Sequence, residues 1–282
     1  MDVFINDQFV PEERASLGVS DLSIQRGYAA FDFLRTRNHY PLFIDDHLDR
    51  FFGSAEIMFI QSPYNRQKVK EIIFELIDRN GIADSGIRLL LTGGFSPDSY
   101  AIAPANFIII QQSLKLPDNK VFEPGGKVIT YEYLRDLPSA KSINYLMGVW
   151  LQQKAKSANA DDVLYHQDGI ISELPRANIW MVSDQDVLVT PSKNILHGIT
   201  RMKLIDLAGA DMEVQQRDIP VEEIMASAEV FLTSTTRRLF PITAIDGKII
   251  GTGKAGPITK SLLDKFLKME EKILSASKEY MK

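Results

Sequence analysis

The chain has 282 residues, 45% of them hydrophobic and 24% charged, with 32 basic against 37 acidic side chains and a net charge of −5. That length suffices for one large or two medium globular domains with a sizeable core, and the acidic balance argues against nucleic acid or an anionic membrane as the main partner. There is no cysteine, and no two of His39, His47, His166 and His197 have the spacing of a zinc pair, which excludes disulfides, thiolate metal sites and a cysteine nucleophile.

The opening stretch Met1-Asp2-Val3-Phe4-Ile5-Asn6 lacks the basic segment and apolar run of a signal peptide. No apolar run approaches the ~18 residues of a membrane span, so a soluble cytoplasmic protein is expected. Val3-Phe4-Ile5 and Phe9-Val10 flank Asn6-Asp7 and predict a short hairpin. A β segment covers Phe31 to Thr36, and Arg37-Asn38-His39 turns it back toward Pro41–Ile44. From Asp45 the period becomes helical, with Leu48, Phe51, Phe52, Ala55, Met58 and Phe59 on one stripe and Asp45 or Asp46 as N-cap. A second amphipathic helix runs from Arg66 to Arg79, turning Val69, Ile72, Ile73, Leu76 and Ile77 inward, and Gly81 stands past its end. Ile87–Thr92 and Asn106–Gln112 are short enough to be buried strands. Leu116-Pro117-Asp118-Asn119 is the linker candidate, which sets a domain boundary near 120.

Beyond it, a strand around Lys127–Tyr131 leads to a helix from Ile143 to Ala158. Closely spaced strands follow near Val163, Ile170, Ile179 and Val187, separated by Asp168-Gly169 and Asp184-Gln185-Asp186. A helix begins near Thr200, a strand covers Glu229–Thr233, and a last helix runs from Pro257 to Tyr280. Such mixing of strands and helices is the pattern of two α/β or α+β lobes.

Certain residues invite a chemical reading beside an ordinary one. Gly198-Ile199-Thr200-Arg201 sits where a loop becomes a helix: two amides and a hydroxyl there suit a phosphate, or Thr200 is a plain N-cap. Ser234-Thr235-Thr236 ends an apolar strand and is a binding turn or a simple hydroxyl-bonded turn. Arg50 borders the apolar stripe of its helix, where it either snorkels or offers a guanidinium fork to an anion. Lys141 lies between Leu137-Pro138-Ser139-Ala140 and an apolar helix, and a solvated lysine is its ordinary reading. Glu173 stands in a segment otherwise buried, and a buried glutamate needs a partner.

Taken in order, these pieces resemble the class IV pyridoxal-phosphate aminotransferases, the fold type IV group of branched-chain aminotransferases, D-amino acid aminotransferases and aminodeoxychorismate lyase. The matching motifs are Phe31-Asp32 through Arg35, His47-Leu48-Asp49-Arg50, Lys141-Ser142-Ile143-Asn144-Tyr145-Leu146, Ser172-Glu173 through Asn178-Ile179-Trp180, Leu196-His197-Gly198-Ile199-Thr200-Arg201 and Thr233-Ser234-Thr235-Thr236. The resemblance spans residues 3 to 255. It implies that Lys141 carries the cofactor as a Schiff base and moves the substrate proton. It further implies that Glu173 pairs with the pyridine nitrogen and that Tyr145 sits near the cofactor's phenolic oxygen. Arg50, the amides of Ile199 and Thr200 and the hydroxyls of Thr200 and Thr235 would hold the phosphate. Phe31 and Arg35 would face the substrate, and the amides of Thr235 and Thr236 would receive its carboxylate.

Three positions depart from the family pattern. Leu174-Pro175-Arg176-Ala177 replaces glycine and small residues after Glu173, and Ala29-Ala30 replaces a glycine pair before Phe31-Asp32. The loop Gly93–Tyr100 lacks the arginine with which D-amino acid aminotransferases trap a carboxylate. The expected architecture is therefore α/β (α+β) in two lobes, 1–120 and 121–282, with the cofactor between them. The expected activity is amino transfer between an aliphatic, branched-chain-like amino acid and a 2-oxo acid in a homodimer. Aminodeoxychorismate lyase is the first alternative, set back by Tyr145 standing where that lyase has arginine. A D-amino acid transaminase and a non-catalytic phosphate-binding relative follow.

Overall fold

A computed structural model describes residues 1–116 and 122–277. One unit gathers Met1–Lys115, Ala140–Asn144 and the chain from Ile273; the other gathers Leu116–Ser139 and Tyr145–Lys272. The boundary expected near 120 falls on 117–121, outside the described residues.

In the first unit, β1 (Asp2–Ile5) and β2 (Gln8–Pro11) form the expected hairpin around Asn6, at φ 54°. Asparagine tolerates that left-handed conformation better than most residues. The short α1 (Leu22–Arg26) is capped by the buried Asp21 carboxylate, which accepts from the Ser23 amide. There follow β3 (Ala29–Arg37), β4 (Tyr40–Pro41), α2 (Ile44–Ile57), α3 (Arg66–Asn80), β5 (Ser85–Thr92) and β6 (Phe107–Ser113). The strands make one sheet in the order β2-β1-β6-β5-β3-β4, with antiparallel neighbours throughout. Alternation along β3 turns Ala30, Asp32 and Leu34 toward the helices and Phe31, Phe33 and Arg35 to the other face. Ala30 and Leu34 join Leu48 and Phe51 of α2 and the Val69–Ile77 stripe of α3 in the core. Each buried aliphatic side chain of that stripe contributes about 2 kcal/mol before conformational entropy is charged.

Two expectations for α2 are corrected. Its N-cap is Phe43, left-handed at φ 54°, while Asp45 and Asp46 lie in the first turn, where they meet the positive end of the helix. Phe59 is not on the apolar stripe: the helix ends at Ile57, and Phe59, at φ 54°, is 83% exposed.

A third correction concerns Lys141. The helix expected from Ile143 starts only at Leu146. The Phe31 amide donates to the Lys141 carbonyl at 2.8 Å, the Ile143 amide donates to the Ala29 carbonyl at 3.0 Å, and Ala30 bridges Ser142. Pairing with the edge of β3 holds this segment outside the helix and overrides its helical pattern.

The second unit holds β7 (Gly126–Glu132), α4 (Leu146–Ser157), β8 (Asp162–Gln167), β9 (Ile170–Ile171), β10 (Glu173–Leu174), β11 (Ala177–Val182) and β12 (Leu188–Thr190). It continues through α5 (Ile199–Ala208), β13 (Val214–Gln216), α6 (Val221–Ala226), β14 (Glu229–Ser234), β15 (Arg238–Ile245), β16 (Lys248–Ile249) and α7 (Pro257–Ser277) as far as Lys272. The sheet runs β13-β12-β11-β14-β15-β7-β8-β9, with β10 added on β11 and β16 on β15. Both of its faces are covered. Ile179, Met181, Val230 and Leu232 join one core, and on the opposite face Trp180 stacks on Phe231 with centroids 5.9 Å apart. Helix α4 lays Leu151 and Ala155 on Val163 and Tyr165. The Glu229 carboxylate accepts from the amides of Ile258 and Thr259 at 2.9 and 2.8 Å, which caps α7. Among the described residues, no helix is long and apolar enough to cross a membrane.

Candidate active site

In the first unit the chemistry gathers around β3, α2 and the 140–144 segment. Lys141 is half-buried; its amide donates to Ser54 Oγ at 3.0 Å, and its ammonium lies 4.3 Å from the centroid of the Phe31 ring. A cation over an aromatic face is attracted by the ring's electrons. Ser54 Oγ in turn donates to the Arg50 carbonyl at 2.7 Å, so α2 grips the lysine segment directly.

The Arg50 fork is not turned to solvent. Its Nε and Nη2 donate to Asp32 at 2.8 and 2.9 Å, and Asp32 is fully buried. His47 Nδ1 lies 2.7 Å from the same carboxylate. Burial alone would raise the Asp32 pKa, but the Arg50 guanidinium and His47 hold it well below the carboxylate range. A carboxylate in that state makes His47 Nδ1 the donor. Burial first of all, and then the nearby cations Arg50 and Lys141, push the His47 pKa down against the pull of Asp32. Phe31 and Arg35 share the face of β3 opposite Asp32, and both are buried, at 9% and 4% exposure.

In the second unit Glu173 is 4% exposed. Arg135 Nε donates to its Oε1 at 2.7 Å, and the Leu196 amide donates to Oε2 at 2.9 Å. Arg135 Nη2 also donates to the Pro138 carbonyl, which fixes the loop that leads toward Lys141. Asn178 is the register partner of Glu173, and its Nδ2 donates to the Leu196 carbonyl at 2.7 Å. The N-cap of α5 is Gly198 rather than Thr200, with no side-chain cap, so Ile199 and Thr200 occupy the first turn. Amides in a first turn have no acceptor within their own helix and favour an anion. A Cβ on Gly198 would fall 2.2 Å from Asn178 Oδ1, so only glycine lets the chain pass this close. Behind that turn Arg201 is 1% exposed and bonded to Thr190, Pro191 and Gln216. Burial lowers its pKa to about 10, still a cation at neutral pH.

Thr235 and Thr236 form the turn between β14 and β15, where Ser234 Oγ accepts from the Arg237 amide at 3.1 Å. Their strand pairs Thr233 with Asn178, which brings the turn to the same end of the sheet as Glu173. Tyr145 is half-buried at the N-cap of α4. Arg176, in the departing loop, is exposed, and Pro175 packs near Gly148.

Thus Phe31, Arg35, Arg50 and Lys141 fall in one unit, and Glu173, Ile199, Thr200, Thr235, Thr236 and Tyr145 in the other. Asp32, His47, Ser54 and Arg135 were given no role by the sequence. For Asp32 the signal was available, as an acid inside the apolar run of β3. Arg135 had none, because its partner lies 38 residues away.

The family of class IV amino-transferases matches residues 29–245. This chain is a member of that family. The D-alanine aminotransferase of Listeria monocytogenes is 30% identical over 95% of both chains. A putative branched-chain-amino-acid aminotransferase of Methanocaldococcus jannaschii is 30% identical over 94% of this chain and 95% of its own. Among solved structures, the branched-chain amino acid aminotransferase of T.th. with pyridoxamine 5'-phosphate superposes with a TM-score of 0.88 at 26% identity, covering 94% of this chain and 92% of the other. The fold is that of the fold type IV aminotransferases, the protein is an aminotransferase, and enzymes of this class use pyridoxal phosphate.

The chemistry of each unit suits that cofactor. The first offers a primary amine and an arginine, and the second a buried carboxylate and glycine-led first-turn amides.

Proposed function

We propose that this aminotransferase moves the amino group of amino acids with neutral aliphatic side chains to 2-oxo acids, with Lys141 as the residue that carries the cofactor. When bound, pyridoxal phosphate supplies the aldehyde that takes up the amino group and the ring that accepts the electron pair left by proton removal. Lys141 first holds the cofactor and then, freed by substrate, moves the proton at the substrate Cα. Glu173 keeps a proton on the ring nitrogen, Tyr145 bonds the phenolic oxygen, and Phe31 and Arg35 border the substrate. Arg50, the amides of Ile199 and Thr200 and the hydroxyls of Thr200 and Thr235 hold the phosphate. The amides of Thr235 and Thr236 receive the substrate carboxylate.

The observation that carries this reading is Lys141 itself. Its backbone is bonded on both sides and its amine is set over Phe31, in the unit that holds Arg50.

Support for a neutral side chain comes from the Gly93–Asn106 connection, which contains Phe95, Tyr100 and Ile102 and no basic residue. Its one acid, Asp98, is taken up by the amides of Tyr100 and Ala101. The reading includes a cytoplasmic homodimer. Leu146, Val149 and Trp150, exposed at 74, 62 and 52% along one side of α4, favour association over a monomer.

The test is a panel of leucine, valine, alanine, aspartate and glutamate in both enantiomers with one common 2-oxo acid, with chirally resolved products. Faster turnover of the aliphatic donors is expected. A preference for glutamate or aspartate overturns the substrate assignment. Confinement to D-donors establishes the D-amino acid reading, which the Listeria relative favours.

A further inference from the structure

The first unit contains a closed circuit of hydrogen bonds that links the amine-bearing residue to the phosphate-binding arginine. The Lys141 amide donates to Ser54 Oγ, and Ser54 Oγ donates to the Arg50 carbonyl. The Arg50 side chain donates twice to Asp32, and from Asp32 the β3 backbone passes to Phe31, whose amide returns to the Lys141 carbonyl at 2.8 Å. Each link is 3.0 Å or shorter.

Asp32 is the element of this circuit that the family motifs leave without a task. It is 0% exposed in the layer between β3 and α2, where an ionised carboxylate survives only if it is paired and hydrogen-bonded. Four donors meet it: Oδ1 accepts from the Phe33 amide, His47 Nδ1 and Arg50 Nη2, and Oδ2 accepts from Arg50 Nε. Held from both oxygens, it cannot rotate without losing a bond. The planar guanidinium gripped by its Nε–Nη2 edge cannot rotate either. The guanidinium is thereby held in one orientation toward any anion it receives.

We propose that Asp32 is a positioning residue, which clamps the Arg50 guanidinium in the orientation that receives the cofactor phosphate at a fixed remove from Lys141. This rests on the pyridoxal phosphate reading above. A ligand with an aldehyde at one end and a phosphate at the other is rigid, so it rewards a protein that fixes the distance between the groups receiving them. A merely structural Asp32 would tie β3 to α2 and show no regard for the phosphate.

The two roles separate in the binding of pyridoxal phosphate and of pyridoxal, which lacks the phosphate, by wild-type protein, Asp32→Asn and Asp32→Glu. Both Kd values are read from the visible absorbance of bound ligand, with circular dichroism to establish folding. For Asp32→Asn the Kd for pyridoxal phosphate is expected to rise about tenfold or more, and that for pyridoxal less than about twofold. Asp32→Glu keeps the charge but displaces it by one methylene; it is expected to show the same selective loss and decides the matter if Asp32→Asn does not fold. On an Arg50→Lys background, replacing Asp32 is expected to add no further phosphate-specific loss, since its effect passes through Arg50. Equal losses for the two ligands in the folded variants, or a full phosphate-specific effect without Arg50, overturn the clamp alone. Wild-type protein that binds neither ligand, or both equally, overturns the cofactor reading together with it.

Discussion

Removing the cation beside Glu173 is the sharpest test of how the second unit is built. Arg135→Met leaves a buried carboxylate that still accepts from the Leu196 amide. Breaking a buried pair by deleting one partner costs about 3–5 kcal/mol. The Arg135 side chain is 15% exposed, so water reaches the pair and the lower end applies. The lost bond to the Pro138 carbonyl adds about 1 kcal/mol, giving a total near 4 kcal/mol. For a protein of this size that lowers Tm by roughly 10 °C. Urea unfolding at neutral pH measures the free energy directly, and the double variant Arg135→Met/Glu173→Gln separates charge from packing. The amide is neutral, so the double variant is expected to recover about half of the loss, a coupling near 2 kcal/mol. A single-variant loss below about 1 kcal/mol, or losses that simply add, would refute the view that the lost Arg135 charge dominates.

Gly198→Ala should destabilise by about 2 kcal/mol and weaken cofactor retention, since its Cβ meets Asn178 Oδ1 at 2.2 Å; recovery on adding Asn178→Ala checks the cause in a thermal melt. His47 is held neutral by burial, so its depressed folded pKa gives stability that is present above the unfolded value of about 6.5 and lost as pH falls toward the folded one. The Tm difference between wild type and His47→Gln should therefore shrink from about pH 7.5 to about pH 5, and a constant difference would remove His47 from the acid response. Lys141→Ala keeps both backbone bonds, so its Tm should hold while borohydride reduction leaves no pyridoxyl group on the protein. A pyridoxyl adduct that mass spectrometry finds on another lysine of the wild type refutes the assignment.

Local chemistry was enough for much of this protein. The Asn6-Asp7 and Asp168-Gly169 turns, the α3 stripe with its glycine end, and the strand runs Ile87–Thr92 and Glu229–Thr233 all form as their residues dictate, because backbone preference and hydrophobic period act over a few neighbours. The ordered motifs likewise exposed the family, which the match over 29–245 bears out. Pairing between distant residues is what the sequence could not display. Ile143 reads as helix by its period and lies outside the helix because β3 offers an open edge at Ala29–Phe31. Arg50 reads as a fork for an anion, yet one edge belongs to Asp32, 18 residues earlier, because only the packed β3–α2 layer makes that carboxylate seek a cation. Glu173 announced that it needed a partner, and the tertiary structure alone chose Arg135, since burial creates the demand and three-dimensional proximity decides which charge can meet it.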